Sequence, residues 1–185
     1  ASIPKERMQV YFIDNEDYFK KKELFHDKKN KLYKDNDERM IFFAKGVLET
    51  VKKLNWSPDI IHLHGSFNAL FPLYLKMLYG EDPIFLNTKI VSSIYEKSFE
   101  GLLSKSMAKK IQFDGIEKGL DKISSPNYDA LIDLMLEFSD SVILSSDKIE
   151  KSTEKIIKNS SKPVLSYKDS LDESLLMNFF SKILD

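Results

Sequence analysis

A chain of 185 residues that is 42% hydrophobic and 31% charged is large and apolar enough to bury a core, and it is not a disordered tract. Twenty-eight basic residues stand against 29 acidic ones, a formal net charge of −1, which excludes bulk attraction to nucleic acid or to an anionic membrane. The absence of cysteine excludes disulfides and thiolate chemistry and makes a reducing cytoplasm the expected compartment; no run spans a bilayer and no signal peptide is read.

Met8–Ile13 (MQVYFI) reads as a short apolar strand that needs neighbours. Because the sequence opens Ala1-Ser-Ile-Pro-Lys without Met, residues upstream are expected to be missing or removed. The acidic loop Asp14-Asn-Glu-Asp17 follows, then Lys20–Lys34, rich in Lys and Asp. That stretch suits a solvated, mobile loop better than a phosphate-binding one, because its lysines alternate with acids and no glycine nest aims them. Asp35 to Leu54 is predicted as a helix. Met40, Ala44, Val47, Leu48, Val51 and Leu54 recur at helical spacing, Asp35 with Glu38 is set to cap the start, and Asn55-Trp-Ser-Pro58 stops it.

Asp59–His64 reads as a buried strand, since near-continuous Ile60, Ile61 and Leu63 suit a parallel sheet covered on both faces. Asn68–Tyr79 is predicted as a helix, bent or tightened near Pro72 and closed by Gly80. Lys89–Tyr95 (KIVSSIY) is the next strand, and Glu96–Asp121 reads as mostly irregular. Asp129–Phe138 is a helix, Ser141–Leu144 a strand, and Asp147–Lys158 a helix capped by Ser146. Pro163–Tyr167 (PVLSY) is a last strand. Leu171–Leu184 is an amphipathic helix with Leu175, Leu176, Phe179, Phe180, Ile183 and Leu184 on one stripe, suited to closing its own sheet and less so to binding a partner. Alternating strands and helices without an internal repeat predict one α/β domain over 1–185 with a doubly wound, mainly parallel sheet and helices on both faces.

The run Pro58-Asp-Ile-Ile-His-Leu-His-Gly-Ser-Phe-Asn-Ala-Leu-Phe-Pro72 is a strand ending in two histidines, a tight turn and a helix opening. That is how a ligand site is laid out at the carboxyl end of a parallel strand. His62 and His64 alternate and so face one side. As a metal pair they need a third ligand, and His26 in the lysine-rich loop is the one histidine left, so hydrogen-bonded histidines and no metal are expected. Asn68 reads as a helix N-cap or a ligand contact. Tyr95 and Phe99 suit stacking on a sugar ring or packing in the core. There is no Gly-x-Gly-x-x-Gly, no Walker loop and no Ser/His/Asp grouping, and no cofactor is expected.

From Glu38 onward the pattern resembles the amino-terminal lobe of bacterial glycogen and starch synthases, with a Lys-Lys-Leu-x-Trp-x-Pro-Asp run, a His-x-His-Asp-Trp-His motif and Ala-Leu-x-Pro-x-Tyr-Leu-Lys. Here these stand as Lys52-Lys-Leu-Asn-Trp-Ser-Pro-Asp-Ile-Ile-His-Leu-His-Gly-Ser-Phe-Asn-Ala-Leu-Phe-Pro-Leu-Tyr-Leu-Lys76. Lys89–Gly101 (KIVSSIYEKSFEG) is similar to the family's strand into Thr-x-His-Asn and Tyr-Gln-Gly, and Phe138–Ser146 to its Ala-Asp-x-Val-x-x-Val-Ser-Pro strand. The resemblance implies a Rossmann-like half of a GT-B fold that lacks its first strand. It also implies retaining transfer of glucose from ADP-glucose or UDP-glucose to an α-1,4-glucan.

The sequence departs from that pattern where the chemistry happens. The motif Asp, Trp and last His stand as Gly65, Ser66 and Asn68, and the His-Asn pair as Tyr95 and Glu96. The family's Lys-x-Gly-Gly-Leu loop and its second lobe are not in this sequence. Retaining transfer relies on positioned polar groups that stabilise separating charges. Glycine supplies none, and Glu96 adds negative charge where a pyrophosphate would lie. The resemblance therefore implies a glucosyltransferase lobe inactive as an isolated chain, with His62, His64, Gly65, Asn68, Tyr95, Glu96 and Phe99 as substrate-binding candidates. The alternative is a degenerate module that binds a glucan, a nucleotide sugar, a protein partner or the missing lobe.

Overall fold

The computed structural model describes residues 2–3 and 8–185. Four strands, β3 (Ile60–His64), β4 (Lys89–Ile94), β5 (Ser141–Leu144) and β6 (Val164–Leu165), form a parallel sheet in the order β3-β4-β5-β6. Near-continuous apolar sequence in β3 to β5 serves this arrangement: β4 and β5 bury side chains on both faces, while β3 buries Leu63 and keeps Ile60, Ile61 and His62 half-buried. The first two strands, β1 (Ser2–Ile3) and β2 (Met8–Gln9), form a separate antiparallel pair.

One face carries most of the core. The long helix α2 (Asn36–Lys53) buries Met40, Ala44, Leu48 and Val51 there, beside α3 (Phe71–Tyr74) and α5 (Tyr128–Glu137). Acidic Asp37 and Glu38 in its first turn and Lys52 and Lys53 in its last complement the helix dipole. Asp35 stands at the N-cap without a side-chain cap bond, contrary to the capping pattern expected of it with Glu38. Its carboxylate is paired with Lys21, and Glu38 is drawn outward to Lys110 at 2.7 Å.

The other face is covered by the last helix, α8 (Glu173–Leu184), whose Leu176, Phe179, Phe180 and Ile183 pack on Val91, Ile143 and Leu165. Asp172 caps α8 by accepting from the N–H groups of Ser174 and Leu175. The expected α/β sheet with helices on both faces is therefore present, and the amphipathic tail closes its own sheet.

Several boundaries differ from expectation. Pairing in the first apolar run ends at Gln9, and Ile13 packs over α2, where a methyl on Gly46 would stand 3.0 Å from its Cγ2. The predicted helix over 68–79 is three pieces: a 3₁₀ turn (Ser66–Asn68), α3 with Pro72 in its first turn, and a widened π turn (Leu75–Tyr79). Within the stretch read as irregular lie α4 (Met107–Phe113) and a 3₁₀ turn (Leu120–Ile123); Met107 and Ile111, both fully buried, anchor α4 amid lysines. Helix α6 (Lys151–Asn159) begins four residues late, because Ser146 Oγ accepts from Lys148 N in a turn and Glu150 holds the N-cap. The last strand is only Val164–Leu165, with short α7 (Tyr167–Ser170) after it. A one-turn helix, α1 (Glu16–Phe19), capped by Asn15, precedes the basic loop.

That loop is solvated at its lysines but pinned at its middle. Phe25 is buried against Phe67 and Phe99, with ring centroids 5.7 and 4.7 Å away. Asn36 Nδ2 donates to Phe25 O at 2.7 Å. Buried Arg39 donates to Tyr18 O at 2.8 Å, Leu24 O at 2.6 Å and Asn36 Oδ1 at 2.8 Å. One helix residue thus ties down Tyr18, just before this segment, and Leu24 within a segment that sequence alone leaves mobile.

Candidate functional site at the carboxyl ends of β3 and β4

Parallel strands deliver their C-terminal loops to one edge of the sheet, where ligands bind in open α/β folds. The register pairs His62 with Val91 and His64 with Ser93, so side chains 62 and 64 of β3 and 91, 93 and 95 of the next strand share one face. It is the face that α8 covers.

His62 is half-buried there. Its Nε2 lies 2.7 Å from Ser93 Oγ, and the Phe180 ring meets it edge-on with centroids 5.5 Å apart. Burial, reinforced by neighbouring His64, pushes the His62 imidazole down to about 4, so it is neutral near pH 7. The two histidine rings lie 4.1 Å apart, close enough that charging one opposes charging the other.

His64 is exposed, and its Nδ1 lies 2.8 Å from the Tyr95 hydroxyl. A phenol is the better donor of the two and an imidazole nitrogen the better acceptor, so the O–H donates to Nδ1. That leaves Nε2–H as a free-facing donor at the rim. Tyr95 is 39% exposed, and its carbonyl accepts from the Tyr128 hydroxyl at 3.1 Å.

Gly65 joins β3 to the turn with φ 79° and ψ 169°, a backbone region that essentially only glycine occupies. Its N–H donates to Ser93 O at 3.1 Å. A Cβ built on it would meet only Tyr95 Cδ2, at 3.9 Å, so positions 65 and 95 are neighbours with room between them. The turn is tied to the loop after β4 by Ser66 Oγ and Ser98 Oγ, 2.6 Å apart.

Asn68 is not the N-cap of the helix that follows; Leu70 stands there. The Asn68 amide instead turns back, and Nδ2 donates to His64 O at 2.8 Å. Glu96 is exposed beside Tyr95. Phe99 is buried between Phe25 and Tyr128, so of its two readings the structure gives core packing and removes it from the rim. His62, His64, Gly65, Asn68 and Tyr95 are therefore brought together, with Glu96 adjacent in sequence and Phe99 behind them.

Sequence reading missed Ser93, Ser66, Ser98 and Tyr128. The signal available was the pair Ser92-Ser93 inside an apolar strand, since a buried hydroxyl needs a partner. Ser92 finds Ser139 Oγ at 2.7 Å, and Ser93 finds His62. Beyond Tyr95, Lys97 pairs with Glu100 at 2.9 Å and Glu150 at 3.5 Å and borders a crevice of about 250 Å³ that also touches Asn127 and Tyr128. Its charge is already matched by acids, so it is no open phosphate anchor.

The rim offers hydrogen-bond donors, an aromatic face and an open floor. Among the described residues no three His, Asp or Glu side chains converge on a cation site, and no helix is long and apolar enough to cross a membrane.

The starch synthase catalytic domain model matches residues 1–159. The glycogen synthase of Chlorobium limicola is 38% identical over 121 residues, 65% of this chain and 25% of that protein. That of Chlorobaculum parvum is 32% identical over 156 residues, 82% of this chain and 31% of that protein. The catalytic domain of starch synthase IV from Arabidopsis thaliana, bound to ADP and acarbose, superposes with a TM-score of 0.56 at 17% identity over 75% of this chain and 31% of that one. The chain thus spans between a quarter and a third of the length of these relatives.

Proposed function

This chain belongs to the starch synthase catalytic domain family, and from that premise we propose that it is a glucosyltransferase lobe that binds a sugar ligand without completing transfer by itself. The ligand site is the rim of His64, Gly65, Asn68 and Tyr95, with Glu96 beside it, and the ligand is an α-glucan or a glucose nucleotide in the cytoplasm. One observation carries the reading: the His64–Tyr95 hydrogen bond at 2.8 Å, next to a glycine turn that leaves open space. Together they make an open rim with an oriented donor at the end of the sheet where open α/β folds hold ligands. The structural relative's bound ADP and acarbose favour a nucleotide and an oligosaccharide as the chemical class.

The inactivity follows from what the rim lacks. Gly65 has no side chain to hold a sugar hydroxyl, and Glu96 opposes a pyrophosphate. His62 is turned under α8 and occupied by Ser93. Loss of one positioned donor costs about 10²–10³ in rate, and several are replaced together.

Calorimetric titration with ADP-glucose, UDP-glucose and maltoheptaose tests the reading. Saturable heat with at least one of them, lost in His64→Ala, is the expected result. Silence with all three would move the function to a protein-binding role, which the exposed Leu175 and Met177 of α8 favour as the second reading.

A further inference from the structure

Helices α2 and α4 lie on the sheet face opposite α8, and their buried residues share one core. On the outside two ion pairs join them, Lys110 to Glu38 at 2.7 Å and Lys45 to Asp114 at 2.6 Å. Around these pairs opens a hollow of about 480 Å³. Its floor is apolar and aromatic: Ile41, Phe42 and Gly46 of α2, with the Tyr18 ring centroid 5.3 Å from that of Phe42. Cavities of ~300–1,000 Å³ hold whole small ligands, so this one has room for an aromatic side chain.

The hollow carries a surplus of negative charge. Glu38, Glu49 and Asp114 line it, and buried Asp37 stands behind them on Lys110 at 2.7 Å; Lys45 and Lys110 are the cations of the lining. Four carboxylates against two ammonium groups leave two negative charges over. Glu49 is exposed, accepts from the Tyr79 hydroxyl at 2.5 Å and forms no ion pair among the described residues.

Beside the hollow stands its complement. Phe113 ends α4, next in sequence to Asp114 of the lining, and is 94% exposed. Met107 and Ile111 turn into the core, and Lys110 and Asp114 face the hollow. Lys109 and Phe113, four residues apart, share the helix face that points away from the core. Lys109 is exposed and forms no ion pair among the described residues. A lone exposed aromatic is ordinary on a protein surface. This one stands with an unpaired cation next to an aromatic-floored hollow that has carboxylate to spare. A projection and a matching recess on one patch are what a two-fold axis converts into a closed pair, each copy giving what it receives.

We propose that this patch is an isologous interface between two copies of the chain. Phe113 of each copy enters the hollow of the other and packs on Tyr18 and Phe42, while Lys109 meets Glu49. The buried aromatic contacts hold the pair together, and the opposite charges set its register. No group of the sugar-binding rim takes part, so the sugar-binding reading can fail while this one stands.

Sedimentation equilibrium of the purified chain tests it, across roughly 1–200 μM, where an interface of moderate strength populates both forms. The mass should climb with concentration from 21.5 kDa towards twice that value. Phe113→Ser should weaken self-association about 10²-fold, because one substitution removes two symmetric contacts of about tenfold each. Its circular dichroism and melting should match the parent, since the position is exposed. Lys109→Glu and Glu49→Lys should each weaken association about tenfold, and the two combined should return it to within about threefold of the parent. A mass of 21.5 kDa at every concentration, a dimer that Phe113→Ser leaves intact, or a double variant no stronger than either single one would overturn the proposal.

Discussion

Arg39→Met removes the group that ties down the basic loop, and its cost can be worked from the contacts. Arg39 is 3% exposed, and its guanidinium donates to the carbonyls of Tyr18 and Leu24 and to Asn36 Oδ1. It also lies 5.3–5.8 Å from the ring centroids of Phe19, Tyr33 and Phe67. Burial lowers its pKa from the usual value, yet a guanidinium remains charged throughout the working range. Methionine keeps most of the apolar stem, so the rings lose little packing. The two backbone carbonyls lose their donor, at about 1–3 kcal/mol each. Relief from burying the charge returns part of that. The net loss is about 3 kcal/mol, a large share of a total stability of about 5–15 kcal/mol. Urea unfolding followed by circular dichroism should show the midpoint falling by about 1–2 M. Because Phe25 sits behind the turn after β3, amide exchange over 18–36 should accelerate and sugar affinity should fall with it. A loss below about 1 kcal/mol, with unchanged exchange in the loop, would refute the anchoring role.

Three further outcomes are expected. His62 titrates near 4 folded and near 6.5 unfolded, so the unfolded chain takes up the proton first; stability should be full above about pH 6.5 and fall by about 1–2 kcal/mol towards pH 4, after allowance for solvent screening. Chemical denaturation across that range should show the slope in the parent and its absence in His62→Gln. Gly65→Ala should lower stability by about 1–2 kcal/mol in thermal melts through backbone strain alone, since the added methyl finds only an ordinary contact; a neutral result would mean the turn does not hold its positive φ. Tyr95→Phe removes the donor to His64 Nδ1; ¹⁵N spectra should change from a single Nε2–H tautomer to a mixture, with sugar affinity falling about 3–10-fold, and an unchanged tautomer would remove Tyr95 as a positioning residue.

What the sequence disclosed, and what it hid, follows from the range of the interactions involved. β3 and β4 were legible because a strand buried on both faces must be apolar throughout, and the alternation of His62 and His64 set both on one face. The chain could not say which face, because that depends on α8, which lies more than a hundred residues away in sequence. Helix α4 escaped because two buried anchors one turn apart, Met107 and Ile111, are too few to mark a period. The basic loop looked unattached because Arg39, its tether, is part of another element. Gly65 read as a lost side chain. Its backbone conformation gives it a second meaning, because a turn at φ 79° favours glycine over any residue with a side chain.

The most direct trial of the central claim is incorporation of radiolabelled glucose from ADP-glucose or UDP-glucose into glycogen by the purified 185-residue chain, run beside a calorimetric titration of the same preparation. The account predicts sugar-dependent heat that His64→Ala abolishes, together with incorporation no greater than a protein-free blank. Glucan elongation by this chain alone, sensitive to the same substitution, would contradict it.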